Sequence, residues 1–494
     1  MSTRESISPI APLPAAEVNG WDAEADVVVV GYGCAGASAA IGATEAGASV
    51  IVLERAGAGG GASAMAGGEI YMGGGTEVQK ACGFDDTPQA MYDFLVAATG
   101  PGPNEEKLSV YCEHSVEHFN WLVECGVVFK PTFYATPCWE PPTDDGLVFT
   151  GGENAWPFNL IAPPAPRGHV PQIQNKRLME KSGGWELMRH LMATAEARGA
   201  DVRPDCRVTR LVVDGDRVVG VTGRSFGNDF AIRATGGVVL ATGGFAANTD
   251  MVALHAPAAS GQMLLGTDGD DGTSIRLGQG LGAAVSHLDA TEAALPSNPP
   301  LVYPSILVNQ FGQRFINEDT YCGRIGQAAL FHQQGKCSLI LDEEIFESVP
   351  EGERWGARPT HVAATLAELE QETGLPEGSL EATVELYNRH AERGEDPLFH
   401  KRAEYLRPLK APYGAIPLTG PYAVFTLGGL VTSTYGEVVG RGGDPIPGLY
   451  AAGRATSGIP SWGYASGTSL GDGTFFGRRA GQAAARAAGN QASA

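Results

Sequence analysis

Basic residues are scarce in this chain. Its 494 residues include 34 lysines and arginines against 56 aspartates and glutamates, so the formal net charge is -22. A protein of this sign is repelled by nucleic acids and by anionic membranes. We therefore expect neither as a partner, and the composition leaves open a neutral or apolar small molecule as the ligand.

Long apolar runs are also missing. No stretch approaches the roughly 18 uninterrupted apolar residues of a membrane-spanning helix, and the opening MSTRESISPIAPLPAAEVNGW lacks the basic and apolar regions of a signal peptide. The eight cysteines form no C-x-x-C pair, which argues against disulfides, zinc, c-type haem and iron–sulfur clusters. The sequence thus predicts a cytoplasmic protein without an integral membrane span and without a metal.

The chain is long enough for a large apolar core. It is 43% hydrophobic and 18% charged, as expected of a globular protein, and single cores rarely grow past about 250 to 300 residues. We therefore expect two domains.

A nucleotide-binding pattern lies near the front of the chain, in residues 25–56. The apolar run 27–30 predicts a buried parallel strand. A glycine turn follows it, then an alanine-rich helix to about residue 46 and a second strand over 49–53 that ends in Glu54. This order of strand, glycine turn, helix, strand and acid is typical of a dinucleotide-binding unit.

Each glycine of the turn has its own role in that pattern. Gly31 makes the tight turn, Gly33 lets a pyrophosphate approach the backbone at the start of the helix, and Gly36 lets helix and strand pack closely. Glu54 accepts hydrogen bonds from the ribose hydroxyls.

The run RAGAGGGASAMAGGEIYMGGG, residues 55–75, decides between NAD and FAD. A glycine- and serine-rich run directly after the second strand is awkward as the next helix of a NAD domain. It suits a second strip of backbone along an extended FAD. We predict FAD as the cofactor.

Later motifs extend this interpretation over nearly the whole chain, which resembles the FAD-dependent fumarate reductase and 3-ketosteroid dehydrogenase superfamily. The resemblance implies an α/β fold in which a Rossmann-like FAD-binding domain carries an inserted α+β catalytic cap. Two proline-rich stretches, LDATEAALPSNPP and PLKAPYGAIP, set the boundaries, so we expect the FAD-binding domain over 1–287 and 413–494 and the cap over 288–412. Besides the opening unit, the resemblance rests on CRV (206–208), VVLATGGFAAN (238–248), GTDGDDGTSIRLGQGLGA (266–283), FGQRFINED (311–319), TLGGLV (426–431) and PIPGLYAAGR (445–454).

The resemblance also implies non-covalent FAD and its contacts. Val208 meets adenine through its backbone, Asp271 holds a polar group on the flavin side, and Ser469 begins a helix running to about residue 488 whose positive end faces the isoalloxazine. The full implied set is Gly31, Gly33, Cys34, Ala35, Gly36, Glu54, Arg55, Ser63, Gly67, Gly68, Val208, Ala241, Thr242, Gly243, Asp271, Gly453, Ser469 and Leu470.

Three positions depart from the similar fumarate reductases, which bind a dicarboxylate with histidine and arginine and donate a proton from a cap arginine. Phe425 stands where they carry the histidine. Tyr321 stands near the position of their cap arginine, and Tyr464 replaces the arginine of the C-terminal glycine loop. Arg324 remains as a displaced proton donor or as half of a salt bridge. The changes convert a dicarboxylate site into an apolar site with hydroxyl groups.

The two tyrosines resemble those of the 3-ketosteroid Δ4-(5α)-dehydrogenases, which carry a Tyr, Tyr, Ser set. A C–H bond beside a ketone is acidic because its carbanion is an enolate, so a phenol can act on it. The resemblance implies that Tyr464 removes the C4 proton of a 5α-3-ketosteroid, Ser466 passes it to Tyr321, and backbone N–H groups near Gly467 polarise the ketone. Phe425 contacts the substrate.

Several alternatives stay open. They are a 3-ketosteroid Δ1-dehydrogenase, although those tend to carry Tyr-Pro-Gly in the C-terminal loop, a soluble fumarate reductase, and a flavin-binding redox sensor without catalysis. The aromatic stretches 129–142 and 156–160 line a flat apolar pocket or pack between domains. Since the chain shows no haem or iron–sulfur motif, an external acceptor of unknown identity takes the electrons.

Overall fold

The computed structural model of this chain describes residues 6–173 and 182–492. It is organised around a mixed main sheet, and the predicted valine strand runs through its middle as Ala23–Val30. Val27 to Val29 are fully buried because elements cover both faces of the sheet. In spatial order the strands are Leu13–Pro14, Cys206–Asp214, Arg217–Ser225, Asn228–Leu240, Ala23–Val30, Val50–Leu53 and Asp201–Arg203, and Pro445–Ala451 pairs with Asn228–Leu240 and with Glu437–Val439.

The direction of pairing divides this sheet in two. Ala23–Val30 lies parallel to Val50–Leu53 on one side and to Asn228–Leu240 on the other. The strands from Cys206 to Leu240 form antiparallel hairpins. The parallel strands with helices against them agree with the predicted α/β class and its Rossmann-like unit.

Two helices pack against each other beside the parallel strands: Cys34–Glu45, which follows the glycine turn, and Thr468–Ala492 at the C-terminal end. Their backbones approach closely because glycines face the contact. A Cβ atom at Gly481 would overlap the Ala39 carbonyl oxygen, and one at Gly477 would overlap the Ala35 carbonyl oxygen. Small residues therefore hold the middle of the second helix against the first helix of the nucleotide unit.

The inserted unit has its own antiparallel sheet and its own core. Its strands are, in spatial order, Ile306–Asn309, Cys337–Asp342, Tyr413–Pro417 and His361–Ala363. Because Tyr413–Pro417 belongs to this sheet, the unit extends past the boundary predicted at residue 412. Arg314, buried beside this sheet, pairs with Glu318 at 2.7 Å and with Asp396 at 2.8 Å.

A short three-stranded sheet, here called the junction sheet, joins the two units. Its central strand Ala423–Thr426 lies parallel to Met263–Leu264 and antiparallel to Thr291–Ala294. The antiparallel register places Glu292 opposite Phe425. The junction thus brings side chains from both units to one place.

The remaining elements complete these layers. Further strands pair as Val285–Ser286 with Gly429–Leu430, and as a sheet of Ile70–Tyr71, Gly168–His169, Leu147–Val148 and Phe133–Tyr134. Further α-helices are Gly61–Met65, Glu77–Ala81, Pro88–Ala98, Glu105–Glu113, Ser115–Glu124, Phe158–Ile161, Gly183–Ala197, Thr249–His255, Thr273–Gly280, Pro299–Val302, Cys322–Gln327, Glu343–Ser348, Leu366–Thr373 and Ser379–Ala391. Single 3-10 turns lie at Ala15–Glu17, Pro257–Ala259, Glu351–Glu353, Ala403–Tyr405 and Gly453–Ala455, and a π-turn at Ala328–His332.

Within residues 6–173 and 182–492, none of the helices combines the length and the apolar character that crossing a membrane requires.

The contact between the two long helices gives a stability prediction. Gly481→Ala places a methyl group against the Ala39 carbonyl, so we expect the free energy of unfolding to fall by about 1 to 3 kcal/mol. In the matched control Gly489→Ala, in the same helix, the new Cβ meets no atom within 4 Å, and better helix propensity raises stability by up to about 1 kcal/mol. Thermal unfolding of the two variants beside the parent measures the difference. Equal unfolding temperatures would contradict the close packing.

Candidate active site

One cavity of about 900 Å³ runs between the main sheet and the inserted unit. It extends from the end of the second parallel strand, at Glu54, past the glycine turn to the junction sheet. Most of the predicted site residues line it. From the cofactor set these are Gly31, Gly33, Cys34, Ala35, Glu54, Arg55, Ser63, Gly67, Val208, Ala241, Thr242, Gly243, Asp271, Gly453, Ser469 and Leu470, and from the substrate set Tyr321, Phe425, Tyr464, Ser466 and Gly467.

The glycine turn shapes the nucleotide end of the cavity. Gly31 has a φ of 100°, and a Cβ atom there would overlap the Ala241 carbonyl. Gly33 precedes the helix Cys34–Glu45, whose first N–H donates to the Ser63 hydroxyl at 3.1 Å. The Glu54 carboxylate accepts from the backbone N–H of Tyr32 at 2.8 Å, which fixes its position beside the turn.

Two glycines of the predicted cofactor set lie off the cavity wall. Gly36 packs against the turn, where a Cβ atom would overlap the Gly31 carbonyl, so its close-packing role agrees with the structure. Gly68 has a φ of 100° and faces the start of the helix Gly183–Ala197, where a Cβ atom would overlap Gly183. Glycine is therefore required at this position because its backbone packs directly on the start of the helix Gly183–Ala197.

The acidic pair 270–271 divides between two places. Asp271, expected on the flavin side, lies at the nucleotide end and pairs with Arg55 at 2.9 Å. The buried Asp270 binds Arg454 at 3.1 Å and accepts from the Gly244 N–H at 3.1 Å. Asp270 and Arg454 both line the cavity and were missed, although the sequence GDDG offered either acid as a candidate.

Four aromatic rings meet at the other end of the cavity, which lies beside the junction sheet and is here called the junction end. The Tyr464 ring packs edge-on against Phe425, with centroids 5.2 Å apart, and lies 6.4 Å from the Tyr321 ring. Trp139, from the aromatic stretch 129–142, packs edge-on against Tyr321 at 5.8 Å. The structure thus brings together the two predicted tyrosines, one from each unit, and places an apolar wall around them.

The loop that carries Tyr464 is held by backbone hydrogen bonds. The Ser466 N–H donates to the Thr150 carbonyl at 3.1 Å, and the Gly467 carbonyl accepts from the Tyr71 N–H at 3.1 Å. Gly467 has a φ of 96°, a conformation that favours glycine. These contacts fix Ser466 and Gly467 at the cavity wall.

The Tyr464 hydroxyl lies at the start of the helix Thr468–Ala492 and accepts from the Ser469 N–H at 3.3 Å. Burial raises the pKa of Tyr464, and the hydrogen bonds from Ser469 oppose the shift without cancelling it. The phenol therefore keeps its proton at neutral pH and has that proton available to donate.

Tyr321 has a partner that the sequence did not reveal. Its hydroxyl donates to Glu292 at 3.0 Å, and Glu292 also lines the cavity. Burial raises the pKa of Glu292 to about 8, although the Tyr321 hydrogen bond opposes the shift. Burial and the Glu292 charge raise the pKa of Tyr321 well above its usual range. An acid inside the apolar stretch ATEAAL was the only signal.

Arg324 does not take part in the cavity wall. Its guanidinium stacks on the Phe158 ring, 4.7 Å from the centroid, and burial lowers its pKa. Among the described residues Arg324 forms no salt bridge, and its position off the cavity wall does not support a role as proton donor. No histidine of the described chain lines the cavity either.

The cavity fits FAD in two respects. The backbone of Gly31 and Gly33 forms a cradle in the cavity wall at the start of the helix Cys34–Glu45, and the acidic Glu54 lies beside it. The cavity continues past this cradle to the tyrosines, so it is elongated, as a site for FAD must be. The FAD binding domain family matches residues 26–470.

The chain belongs to this family. The predicted cofactor, FAD, is thereby confirmed.

Similar proteins agree with the predicted superfamily. This FAD-binding chain is 54% identical to a 3-ketosteroid-Δ4-(5α)-dehydrogenase from Rhodococcus jostii RHA1, solved in complex with 4-androstene-3,17-dione; the match covers 96% of this chain and 100% of that one, with a TM-score of 0.94. It is 29% identical to the 3-oxo-5-alpha-steroid 4-dehydrogenase of Comamonas testosteroni, over 92% and 97% of the two chains. It is 27% identical to a probable fumarate reductase of Shewanella frigidimarina, over 93% and 74%. The predicted resemblance is confirmed.

The cradle predicts the effect of a side chain at Gly33. In Gly33→Val the isopropyl group enters the cavity wall at the start of the helix Cys34–Glu45, so the pyrophosphate can no longer approach the backbone. We expect the purified variant to be colourless, as measured by flavin absorbance at matched protein concentration. Gly20→Val, at an exposed position with no atom within 4 Å of a new Cβ, is the control and should stay yellow. Full flavin content in Gly33→Val would show that the dinucleotide lies elsewhere.

Proposed function

We propose that this protein dehydrogenates 5α-3-ketosteroids between C4 and C5 with FAD as the oxidant. The observation that carries the proposal is the whole-chain similarity, at 54% identity, to a Δ4-(5α)-dehydrogenase solved with a 4-ene-3-ketosteroid. At the junction end of the cavity, the tyrosines offer hydroxyl groups for the proton transfer, and the apolar wall suits a steroid.

The cavity walls suit a flat apolar substrate. Phe425, Trp139 and Leu295 line the junction end. Met263 and Trp355 also line the cavity and are more than half exposed, so its open side is apolar as well. A steroid entering here exchanges water for apolar contacts over its whole length.

The reaction needs a hydrogen-bond donor for the ketone and an acceptor for the C4 proton. Bound FAD supplies the two-electron acceptor for the hydride that leaves C5. The protein's own groups must then stabilise the developing enolate oxygen and take up one proton. Three hydroxyl groups at the junction end, those of Tyr321, Tyr464 and Ser466, are available for these two tasks.

The surroundings of the two phenols suggest how they divide these tasks. Tyr464 already accepts a backbone hydrogen bond at a helix start and keeps its own proton, so it is suited to donate to the ketone oxygen. Tyr321 donates to a carboxyl group, so its oxygen is suited to receive a proton as it gives its own away. We therefore assign the C4 proton to Ser466 and Tyr321, and the ketone oxygen to Tyr464, which revises the role of proton acceptor expected for Tyr464.

Fumarate chemistry finds less support in this cavity. A dicarboxylate needs cationic groups at both ends. At the junction end Phe425 occupies the histidine position, and Arg454 is paired with Asp270. The electrons taken from the steroid leave to an external acceptor.

Anaerobic reduction of the bound flavin tests the proposal. We expect 5α-androstane-3,17-dione, the 5α-reduced counterpart of the ligand in the Rhodococcus relative, to bleach the flavin absorbance, and succinate to leave it unchanged. Mass spectrometry and NMR should identify a 4-ene-3-one as the product. Bleaching by succinate would favour a fumarate-type enzyme, and no bleaching by either compound would favour a redox sensor.

Tyr464→Phe removes one hydroxyl and keeps the ring that packs on Phe425. The variant should fold, bind FAD and bind the steroid in spectral titrations. Its rate of flavin reduction, measured by anaerobic stopped flow, should fall by about a hundredfold to a thousandfold because the enolate loses its donor. A rate near that of the parent would remove Tyr464 from the chemistry and leave it a packing role.

A further inference from the structure

A buried carboxyl group faces the same end of the cavity as the tyrosines. Glu292 is buried, with only 1% of its surface exposed to solvent. One carboxyl oxygen accepts a hydrogen bond of 3.0 Å from the Tyr321 hydroxyl. The other has no hydrogen-bond partner within the described part of the chain. Burying a carboxyl group with one unpartnered oxygen costs free energy, so its presence here calls for an explanation in function.

The fold leaves room for this group at one point. The helix Cys322–Gln327 packs against the strand Thr291–Ala294, and a Cβ atom at Gly323 would overlap both the Glu292 carboxyl oxygen and the Tyr321 ring. A glycine at this position therefore allows carboxyl and phenol to meet.

The groups around Glu292 are phenolic and apolar. Tyr321, at the start of the neighbouring helix, is hydrogen-bonded to it, and the Tyr464 phenol of the C-terminal loop is close enough to feel its charge. Across the junction sheet its register partner is Phe425.

The cations of these same elements are engaged elsewhere. Arg324, on the neighbouring helix, stacks on Phe158. Arg454, which lies over the Phe425 ring, is paired with Asp270. Cys322 is buried beside Tyr321, and burial raises the pKa of its thiol. Glu292 thus has no cation to compensate its charge among the contacts described.

We propose that Glu292 is a positioning residue that orients the Tyr321 hydroxyl and accepts its proton while the steroid loses the C4 proton. The inference rests on the proposed function and adds the group on which the proton comes to rest. Glu292 acts through Tyr321 and need not touch the steroid.

The proton transfer balances without a further reactant. The C4–H bond breaks, and its electron pair enters the enolate as the proton moves to the Ser466 oxygen. Ser466 passes its own proton to Tyr321, and Tyr321 passes its own to the Glu292 carboxylate. Both hydroxyl groups end neutral, and the negative charge has moved from the carboxylate to the steroid. Bound FAD would take up the hydride from C5, which completes the 4-ene-3-one and returns the steroid to neutral charge.

The pH dependence follows from the ionisation of Glu292. Only the carboxylate accepts a proton, and burial raises the pKa of this group to about 8. Below that pH the carboxyl group is already protonated, so the relay has no acceptor. The rate of flavin reduction should therefore rise as the pH increases through about 8.

Glu292→Gln separates orientation from proton acceptance, since an amide oxygen still accepts the Tyr321 hydrogen bond but takes up no proton. We expect the variant to hold FAD and steroid, to reduce its flavin about a hundredfold more slowly than the parent above pH 8, and to lose the rise with pH. The matched control is Glu153→Gln, which changes another buried carboxyl group that lies off the cavity wall. It should keep both rate and rise.

Two further measurements separate this role from a structural one. The combination of Glu292→Gln with Tyr321→Phe should be no slower than Tyr321→Phe alone, because residues acting as a unit are not additive. With the flavin chemically reduced beforehand, deuterium from D₂O should enter C4 of the 5α-steroid in the parent and much more slowly in Glu292→Gln, as located by NMR. Glu292→Asp shortens the side chain and draws the carboxyl group away from the Tyr321 hydroxyl, so it should slow flavin reduction and C4 exchange but keep a rise of the rate with pH.

The outcomes distinguish the two proposals. If the steroid fails to reduce the parent flavin, the proposed function fails, and this inference fails with it. If the steroid reduces the parent but the rate does not rise with pH, or if Glu292→Gln keeps the parental rate and exchange, the inference alone is overturned. Should Glu292→Gln fail to hold FAD, Glu292→Asp and the pH profile of the parent decide.

Discussion

The antiparallel pairing of Thr291–Ala294 with Ala423–Thr426 connects the dinucleotide-binding unit to the inserted unit, and the reacting end of the cavity depends on it. The register sets Glu292 opposite Phe425. Phe425 in turn supports the Tyr464 ring, and Glu292 holds the hydroxyl of Tyr321. A shift of one strand by one residue would turn its side chain to the other face of the sheet and separate Glu292 from Phe425.

Burial then determines what these side chains do. The pKa of both phenols is raised, so neither ionises near neutral pH. A neutral phenol donates a hydrogen bond well, but it takes up a proton only if it passes one on. The carboxyl group behind Tyr321 makes such a transfer feasible in a cavity with apolar walls, where an unpaired charge would be costly.

The local sequence pattern was enough to predict those parts of the fold and site that are formed by residues close together in the chain. The valines at 27–30 and the glycine turn after them identified the strand, the helix and the cofactor, since each is set by spacing within one unit. Phe425 and Tyr464 could be interpreted because the family pattern shows which residues the similar fumarate reductases carry at these two positions. Domain membership near residue 412 was harder, because Tyr413–Pro417 joins the inserted sheet through pairing with a distant strand.

The contacts that sequence reasoning missed are tertiary. Glu292 and Tyr321 meet only because a helix packs on the junction strand at Gly323. Which of the adjacent acids, Asp270 or Asp271, turns inward depends on Arg454 and Arg55, which come from distant parts of the chain. Spacing within the sequence carries no information on such choices.

Isotopic substitution of the steroid tests the central claim most directly. In anaerobic stopped-flow experiments with 5α-androstane-3,17-dione, deuterium at C5 should slow flavin reduction, and deuterium at C1 should have no effect, because the account takes the hydride from C5. Slowing by deuterium at C1 with none at C5 would contradict the account and assign the protein to Δ1 chemistry.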